Sequence, residues 1–343
     1  MDYNDDNNIS FDSNGYCNYC SSYFKYVEDE TNIKKHSLGE MLPLIEKIKQ
    51  DKKNNKYDCI VGISGGTDSA YLIYKLVETA TKNIEMLLKK LNVDLYTYVN
   101  NWEEFKDLQL SFFKAGVIDI ELLTEQAIIA LLYKTSVKFK TKYIFTGHNV
   151  STEFILPKHW YHWKLDALNI KSIHKKFGTK KIKTFPLMSF WEQYYHGKFR
   201  KTQMISLLNY INYDKNEAKK ILSDKFDWKD YGAKHNESVF TRFYQNYILP
   251  VKFNVDKRKA HLSSIICSGQ ISREQALNEI ETKPWETEQT IQDKEYVLKK
   301  LEINRETFDQ WMKEEPVSHF AYASYLTRHD KIIKDLKKIF KKN

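Results

Sequence analysis

Apolar positions along the chain switch repeatedly between a helical period and short continuous runs. Residues 39–52 place Met41, Leu42, Leu44, Ile45 and Ile48 on one stripe, which predicts an amphipathic helix. Residues 57–63 form a compact apolar run that predicts a strand, and helical spacing then covers 67–91 with Leu72, Leu76, Ile84, Leu87, Leu88 and Leu91. Asp94 to Val99 reads as a second strand, 103–114 as a helix, Gly116 to Glu121 as a loop, and 124–139 as an apolar helix. Tyr143-Ile144-Phe145-Thr146 predicts a third strand, ending at Gly147-His148-Asn149. Strands that alternate with helices predict an α/β fold with a parallel sheet and right-handed crossovers. Beyond residue 160 the pattern turns helical, with 190–228 and 271–343 rich in Lys, Glu and Leu. The expected organisation is an N-terminal segment over 1–38, a sheet domain over 39–188, and a mainly helical domain over 189–343.

Ligands of a parallel α/β sheet bind at the carboxyl ends of its strands. At the first such end stands Ser64-Gly65-Gly66-Thr67-Asp68-Ser69. Two glycines allow a tight bend and let backbone N–H groups approach an anion. The helix that follows points its positive dipole end into the same bend. Ser64, Thr67 and Ser69 add hydroxyl donors, and Asp68 adds a carboxylate suited to a magnesium ion. The spacing therefore predicts a pyrophosphate site, with Asp68 and Ser69 nearest the chemistry. His148 and Gly147, at the next strand end, are expected on the same side.

The composition narrows the class. The chain has 343 residues, 42% apolar and 29% charged, and a net charge of +9. No apolar run approaches the roughly 18 residues needed to span a bilayer, so no membrane insertion is expected. The acidic start (Asp2, Asp5, Asp6) does not read as a signal peptide, and four cysteines do not suggest a disulfide framework. A cytoplasmic protein is expected. The lysines are scattered, and no RNA-binding aromatic signature accompanies them, so the basic balance is assigned to a solvated surface and small anionic ligands rather than to nucleic acid.

The strand–SGGTDS–helix unit resembles the PP-loop of the ATP pyrophosphatases, the group of GMP, NAD and asparagine synthetases and of tRNA-modifying ligases. A narrower resemblance is to the bacterial N-acetyl sugar amidotransferases. It rests on Ile9-Ser10-Phe11-Asp12-Ser13-Asn14-Gly15-Tyr16-Cys17-Asn18-Tyr19-Cys20, on Asn101-Trp102-Glu103-Glu104-Phe105, and on Phe145-Thr146-Gly147-His148-Asn149. Ile173-His174-Lys175-Lys176-Phe177-Gly178 and Lys183-Thr184-Phe185-Pro186 extend it. Phe240-Thr241-Arg242-Phe243, Asp256-Lys257-Arg258 and Cys267-Ser268-Gly269-Gln270 carry it through the C-terminal half.

The resemblance implies an adenine-nucleotide-α-hydrolase-like sheet domain and an ATP- and Mg2+-dependent enzyme. Such an enzyme turns the acetamido group of a nucleotide sugar or nonulosonic acid into an acetamidino group during surface-polysaccharide or flagellin-glycan synthesis. It also implies a separate glutaminase subunit as the source of ammonia. Lys234, His235, Arg242, Lys257 and Arg258 then become candidates for holding the substrate's anionic groups.

Three departures from the family pattern qualify it. Only the pair Cys17 and Cys20 is present where two Cys-x-x-C pairs suggest a four-thiolate zinc site, so either the frame begins late or the zinc site is halved. One strand with its turn looks deleted between Glu78 and Thr81. Thr124-Glu125-Gln126-Ala127 replaces an expected TDHA. The alternatives left open are a tRNA-modifying PP-loop ligase and a catalytically impaired subunit.

Overall fold

The computed structural model describes residues 1–51, 55–63, 66–76, 94–226, 228 and 238–327. In chain order its helices include α1 (Asn18–Glu28), α2 (Glu30–Lys35), α3 (Leu38–Asp51), α4 (Thr67–Leu76), α5 (Trp102–Ala115) and α6 (Leu122–Lys138). There follow α7 (Val150–Glu153), α8 (Ala167–Phe177), α9 (Phe190–Tyr194), α10 (Lys215–Phe226), α11 (Val239–Phe243) and α12 (Leu249–Phe253). The last are α13 (Lys257–Cys267), α14 (Arg273–Glu281), α15 (Glu288–Leu301) and α16 (Arg305–Lys313). The strands are β1 (Ile60–Val61), β2 (Tyr143–Thr146) and β3 (Gln203–Ser206). The architecture is mixed α/β and mostly helical. No described helix is long and apolar enough to cross a membrane.

The chain divides into two compact units, each built from interleaved segments. The first comprises Met1–Thr97, Thr135–Pro157 and Thr202–Asp293. It holds a parallel sheet of order β1-β2-β3, with Ile60 opposite Ile144, Val61 opposite Phe145, and Tyr143 to Thr146 opposite Gln203 to Ser206. Tyr143, Ile144 and Phe145 are all buried, as expected of a central parallel strand covered on both faces. Around the sheet pack Tyr71, Leu72 and Ile73 of α4, Ile48 of α3, and Ala218 and Leu222 of α10. Burial of each large side chain contributes about 2 kcal/mol. The strand entrances are tied together as well: the Thr141 hydroxyl donates to the Asp58 carbonyl at 2.8 Å, and the Asn55 amide donates to the Lys140 carbonyl at 3.1 Å.

Two sequence-based strands need correction. Asp94 to Val99 forms no strand; Leu95, Tyr96 and Val99 are exposed, with no partner strand among the described residues. A strand instead forms at Gln203–Ser206, inside a stretch expected to be helical, because Ile205 completes the sheet core beside Phe145. The 1–38 segment, which lacks an obvious period, is helical over its second half, in α1 and α2. The site of the expected deletion lies outside the described residues.

The second unit comprises Tyr98–Lys134, Lys158–Lys201 and the segment from Lys294 onward. Leu108, Phe112 and Ala115 of α5 meet Ile170 and Ile173 of α8, with Leu122, Leu123, Phe185 and Tyr322 closing the core. Asn101 caps α5 by accepting from the Glu104 N–H, and Gly116 ends it in the left-handed conformation at φ 65°. A Cβ on Gly116 would also stand 3.3 Å from Val317.

Two buried carboxylates one turn apart on α5 organise the loop after α8. Glu104 accepts from the backbone N–H groups of Lys183, Thr184 and Phe185. Asp107 accepts from the N–H groups of Thr179 and Lys180, from the Thr179 hydroxyl at 2.7 Å, and from His174 Nε2 at 2.8 Å. Burial would raise the Asp107 pKa, but these donors outweigh it and pull the group down to about 2.

A carboxylate held below its unfolded value stabilises the fold above pH about 4 and loses that contribution as the pH falls towards 2. Asp107→Asn is therefore expected to lower stability by about 2 kcal/mol at pH 7 in urea denaturation, with the gap to the parent chain shrinking at pH 3. An equal gap at both pH values would show that ionisation of Asp107 contributes nothing.

Candidate functional site

The three parallel strands deliver their carboxyl ends to one edge of the first unit, and the candidate residues collect there. α4 starts immediately after Gly66, whose carbonyl accepts from the Ala70 N–H at 3.0 Å and from the Ser69 hydroxyl at 3.2 Å. Asp68 lies in the first turn, where the helix dipole favours a negative group. The helix is held down by Tyr71, Leu72 and Ile73 in the sheet core, so its N-terminus is fixed by packing. Ser64 and Gly65 lie outside the described residues.

Gly147 follows β2 and meets the start of α4 backbone to backbone. A Cβ at Gly147 would lie 2.9 Å from the Ser69 nitrogen, 3.0 Å from the Asp68 carbonyl carbon and 3.1 Å from the Ser69 Cα. No larger residue fits without moving one of the two segments. The next residue, His148, is exposed, and Asn149 turns the chain by capping α7 through the Thr152 N–H at 2.9 Å. The segment after β3 joins the same edge: the Asn209 side-chain oxygen accepts from the Val150 N–H at 2.8 Å.

Tyr213 is the site residue that sequence reasoning missed. Its side chain is buried, and its hydroxyl donates to Asp68 Oδ1. Burial first, and then the Asp68 charge, push the Tyr213 phenol well above its ordinary value, so the tyrosine stays a proton donor. Gln270 fixes the backbone around Tyr213, donating to the Tyr213 carbonyl at 3.1 Å and accepting from the Lys215 N–H at 2.9 Å. No local pattern marks Tyr213, since its partner lies far off in sequence.

α13 packs beside α7. His261 Nδ1 lies 3.4 Å from the Thr152 carbonyl, and the Ser264 hydroxyl accepts from the Ile155 N–H at 2.9 Å. The two arginines expected to bind substrate are engaged within the fold. Arg242 forms a two-pronged pair with Asp293 at 2.6 and 2.7 Å. Arg258 pairs with Asp256 and reaches the Glu279 and Thr282 carbonyls, tying the start of α13 to the end of α14. Lys257 lies over the Tyr244 ring at 5.7 Å. Lys234 and His235 lie outside the described residues.

Cys17 and Cys20 sit at the start of α1 with their sulfurs 3.4 Å apart. Cys267, at the end of α13, lies against Cys20, whose thiol donates to it and lowers its pKa. The Cys20 contact and burial together raise the Cys17 thiol strongly. Sulfur donors suit zinc, but a structural zinc shell needs four donors, and the described residues assemble no such shell around this pair.

For a nucleotide the fit is better. The polar groups at the edge are the first-turn backbone of α4, the hydroxyls of Thr67 and Ser69, and the Asp68 carboxylate. Gly147 lets the end of β2 approach this helix start backbone to backbone. This set suits a pyrophosphate group and its magnesium ion.

The fold and this edge define a parallel α/β protein with an anion-suited strand–helix junction. A protein-family model described as "LPS biosynthesis protein WbpG-like, C-terminal domain" matches residues 237–337. The chain thus carries a segment similar to the C-terminal domain of WbpG-like LPS biosynthesis proteins, one that includes Arg242, Lys257, Arg258 and His319. No curated protein matches the chain.

Gly147→Ala tests the close approach directly. Forcing a methyl group against the Ser69 backbone is expected to lower stability by about 1–3 kcal/mol in urea denaturation followed by circular dichroism. A variant as stable as the parent would mean that the two segments do not touch.

Proposed function

We propose that this protein is the ATP-dependent subunit of an amidotransferase in LPS or related glycan synthesis, with a PP-loop at Ser64–Ser69. The observation that carries the reading is the junction where Gly147 meets Asp68 and Ser69 backbone to backbone, because it sets the end of β2 against a helix start that bears a carboxylate and hydroxyls. The match to a WbpG-like LPS domain supports the glycan context. The substrate is an acetamido group on a nucleotide sugar or nonulosonic acid, and the reaction takes place in the cytoplasm, where ATP is available.

An amide needs activation, since its carbon is a weak electrophile and its oxygen leaves poorly. The amide oxygen attacks the α-phosphorus of ATP and pyrophosphate departs. Ammonia from a partner glutaminase then adds to the activated carbon, and AMP carries the former amide oxygen away. The product is the amidine. Gly66, Thr67, Ser69 and Gly147 would line the phosphate site, and Asp68 would hold the magnesium ion that neutralises charge on the departing pyrophosphate. Tyr213 keeps Asp68 oriented, and His148 stands at the rim towards the amide. Arg242 and Arg258 shape the helical wall through their pairs with Asp293 and Asp256, while Lys257 and the positions Lys234 and His235 supply cationic groups for the substrate.

The test is pyrophosphate release from Mg-ATP in the presence of ammonium and an N-acetylated nucleotide sugar. Asp68→Asn keeps an acceptor for Tyr213 but loses the charge. It is expected to cut release about a hundredfold or more while thermal stability holds. Unchanged release in the variant, or none from the parent chain under any substrate, overturns the reading. Stimulation by tRNA alone would instead favour a tRNA-modifying ligase.

A further inference from the structure

The second unit contains a cluster that the nucleotide reading does not use. Asp119 sits in the loop between α5 and α6, His162 and Lys164 in the stretch before α8, and His319 in a short turn after α16. Oxygen and nitrogen atoms of Asp119, His162 and His319 all lie within 4.8 Å of one another. Asp119 and His319 are buried, at 2% and 1% exposure, yet Asp119 Oδ2 and both ring nitrogens of His319 make no hydrogen bond. Polar groups left this way in a protein interior are costly.

The spacing is informative. His319 Nδ1 lies 3.4 Å and His162 Nε2 3.8 Å from Asp119 Oδ2. Where this same unit simply pairs a histidine with an aspartate, His174 with Asp107, the atoms close to 2.8 Å. Donors each about 2 Å from a tetrahedral ion stand about 3.4 Å apart. The surroundings also have the layout of a metal's outer shell. His319 Nε2 faces Asp166 Oδ2 at 3.7 Å, and Asp166 is itself held by the Ser324 hydroxyl and by the N–H groups of Asn169 and Tyr325. A carboxylate behind a ligating imidazole fixes its tautomer and orientation. Lys164 approaches the other Asp119 oxygen, Oδ1, at 3.6 Å and is balanced by Glu125 at 3.4 Å, which leaves Oδ2 for an ion.

We propose that Asp119, His162 and His319 form a binding site for a divalent transition metal, with zinc the ion that two imidazoles and one carboxylate suit best. Asp166 is a positioning residue. The His162 and His319 rings are stacked at 4.1 Å, so shared coordination requires one of them to rotate, and His162, at the partly exposed rim, has the room to do so. The fourth position is left for water or another ligand. Bound metal would tie three distant chain segments into one cross-link.

The test uses the full chain carrying Cys17→Ser and Cys20→Ser, so that thiols do not compete. After chelator treatment, calorimetric titration with zinc chloride is expected to show about one ion per chain, and zinc is expected to raise the thermal midpoint. Adding His162→Ala or His162→Gln, at the rim, is expected to weaken binding at least tenfold and to remove the thermal shift, with circular dichroism unchanged. Asp166→Asn is expected to weaken it about tenfold to a hundredfold. Absence of zinc binding by the double-serine chain, or undiminished affinity in both His162 variants, overturns the proposal.

Discussion

The contact between Gly147 and the first turn of α4 sets the terms for the rest of the first unit. The end of β2 approaches Asp68 and Ser69 so closely that no side chain fits between them. That approach requires β2 to be the central strand, flanked by β1 and β3 in parallel, and α4 to be clamped by Tyr71, Leu72 and Ile73. Packing forces far from any ligand thus decide where the helix start and its polar groups stand. Once these are placed, Tyr213 has a carboxylate to meet, and Asn209 can link the turn after β3 to the turn after β2.

The second unit follows a different logic. Its hydrophobic core is built on α5 and α8, but its loops are set by buried charge. Glu104 and Asp107, one turn apart on α5, gather N–H groups from 179–185 that would otherwise be unpaired. His174, which the sequence marks only as part of a family-like stretch, is used here to complete Asp107. Asp166 does comparable service, capping α8 and holding Ser324 and Tyr325. Each carboxylate replaces several lost water contacts with fixed donors, which is the condition for burying one at all.

How much of this could be read from the sequence depends on the range of the interaction. β2 is legible because three successive apolar residues match a strand covered on both faces, and α3, α5 and α6 are legible from their periods. β3 is hidden, since a four-residue edge strand with one core residue looks like its helical neighbours. Asp94 to Val99 misleads through its aromatic and β-branched content, which the described fold leaves exposed. In the candidate site, Gly66 and Asp68 announce themselves because the strand–bend–helix pattern that marks them is local in sequence. Tyr213, Gln270, Cys267 and the Asp119–His162–His319 group do not, because each acquires its meaning only when distant segments fold together. Arg242 and Arg258 show the converse: a guanidinium is equally suited to a ligand and to an internal carboxylate, and here both meet internal carboxylates.

Gln270 gives the first unit one further property. It sits just after α13, at a junction ended by Gly269 at φ 74°, where surface turns usually tolerate change. Yet its amide grips the Tyr213 carbonyl and the Lys215 N–H, and Tyr213 grips Asp68. A drift in the sequence of that remote turn would be inherited by the first turn of α4 two steps away. Compensating changes should therefore arise in pairs, linking positions that a survey of that helix start alone would never think to compare.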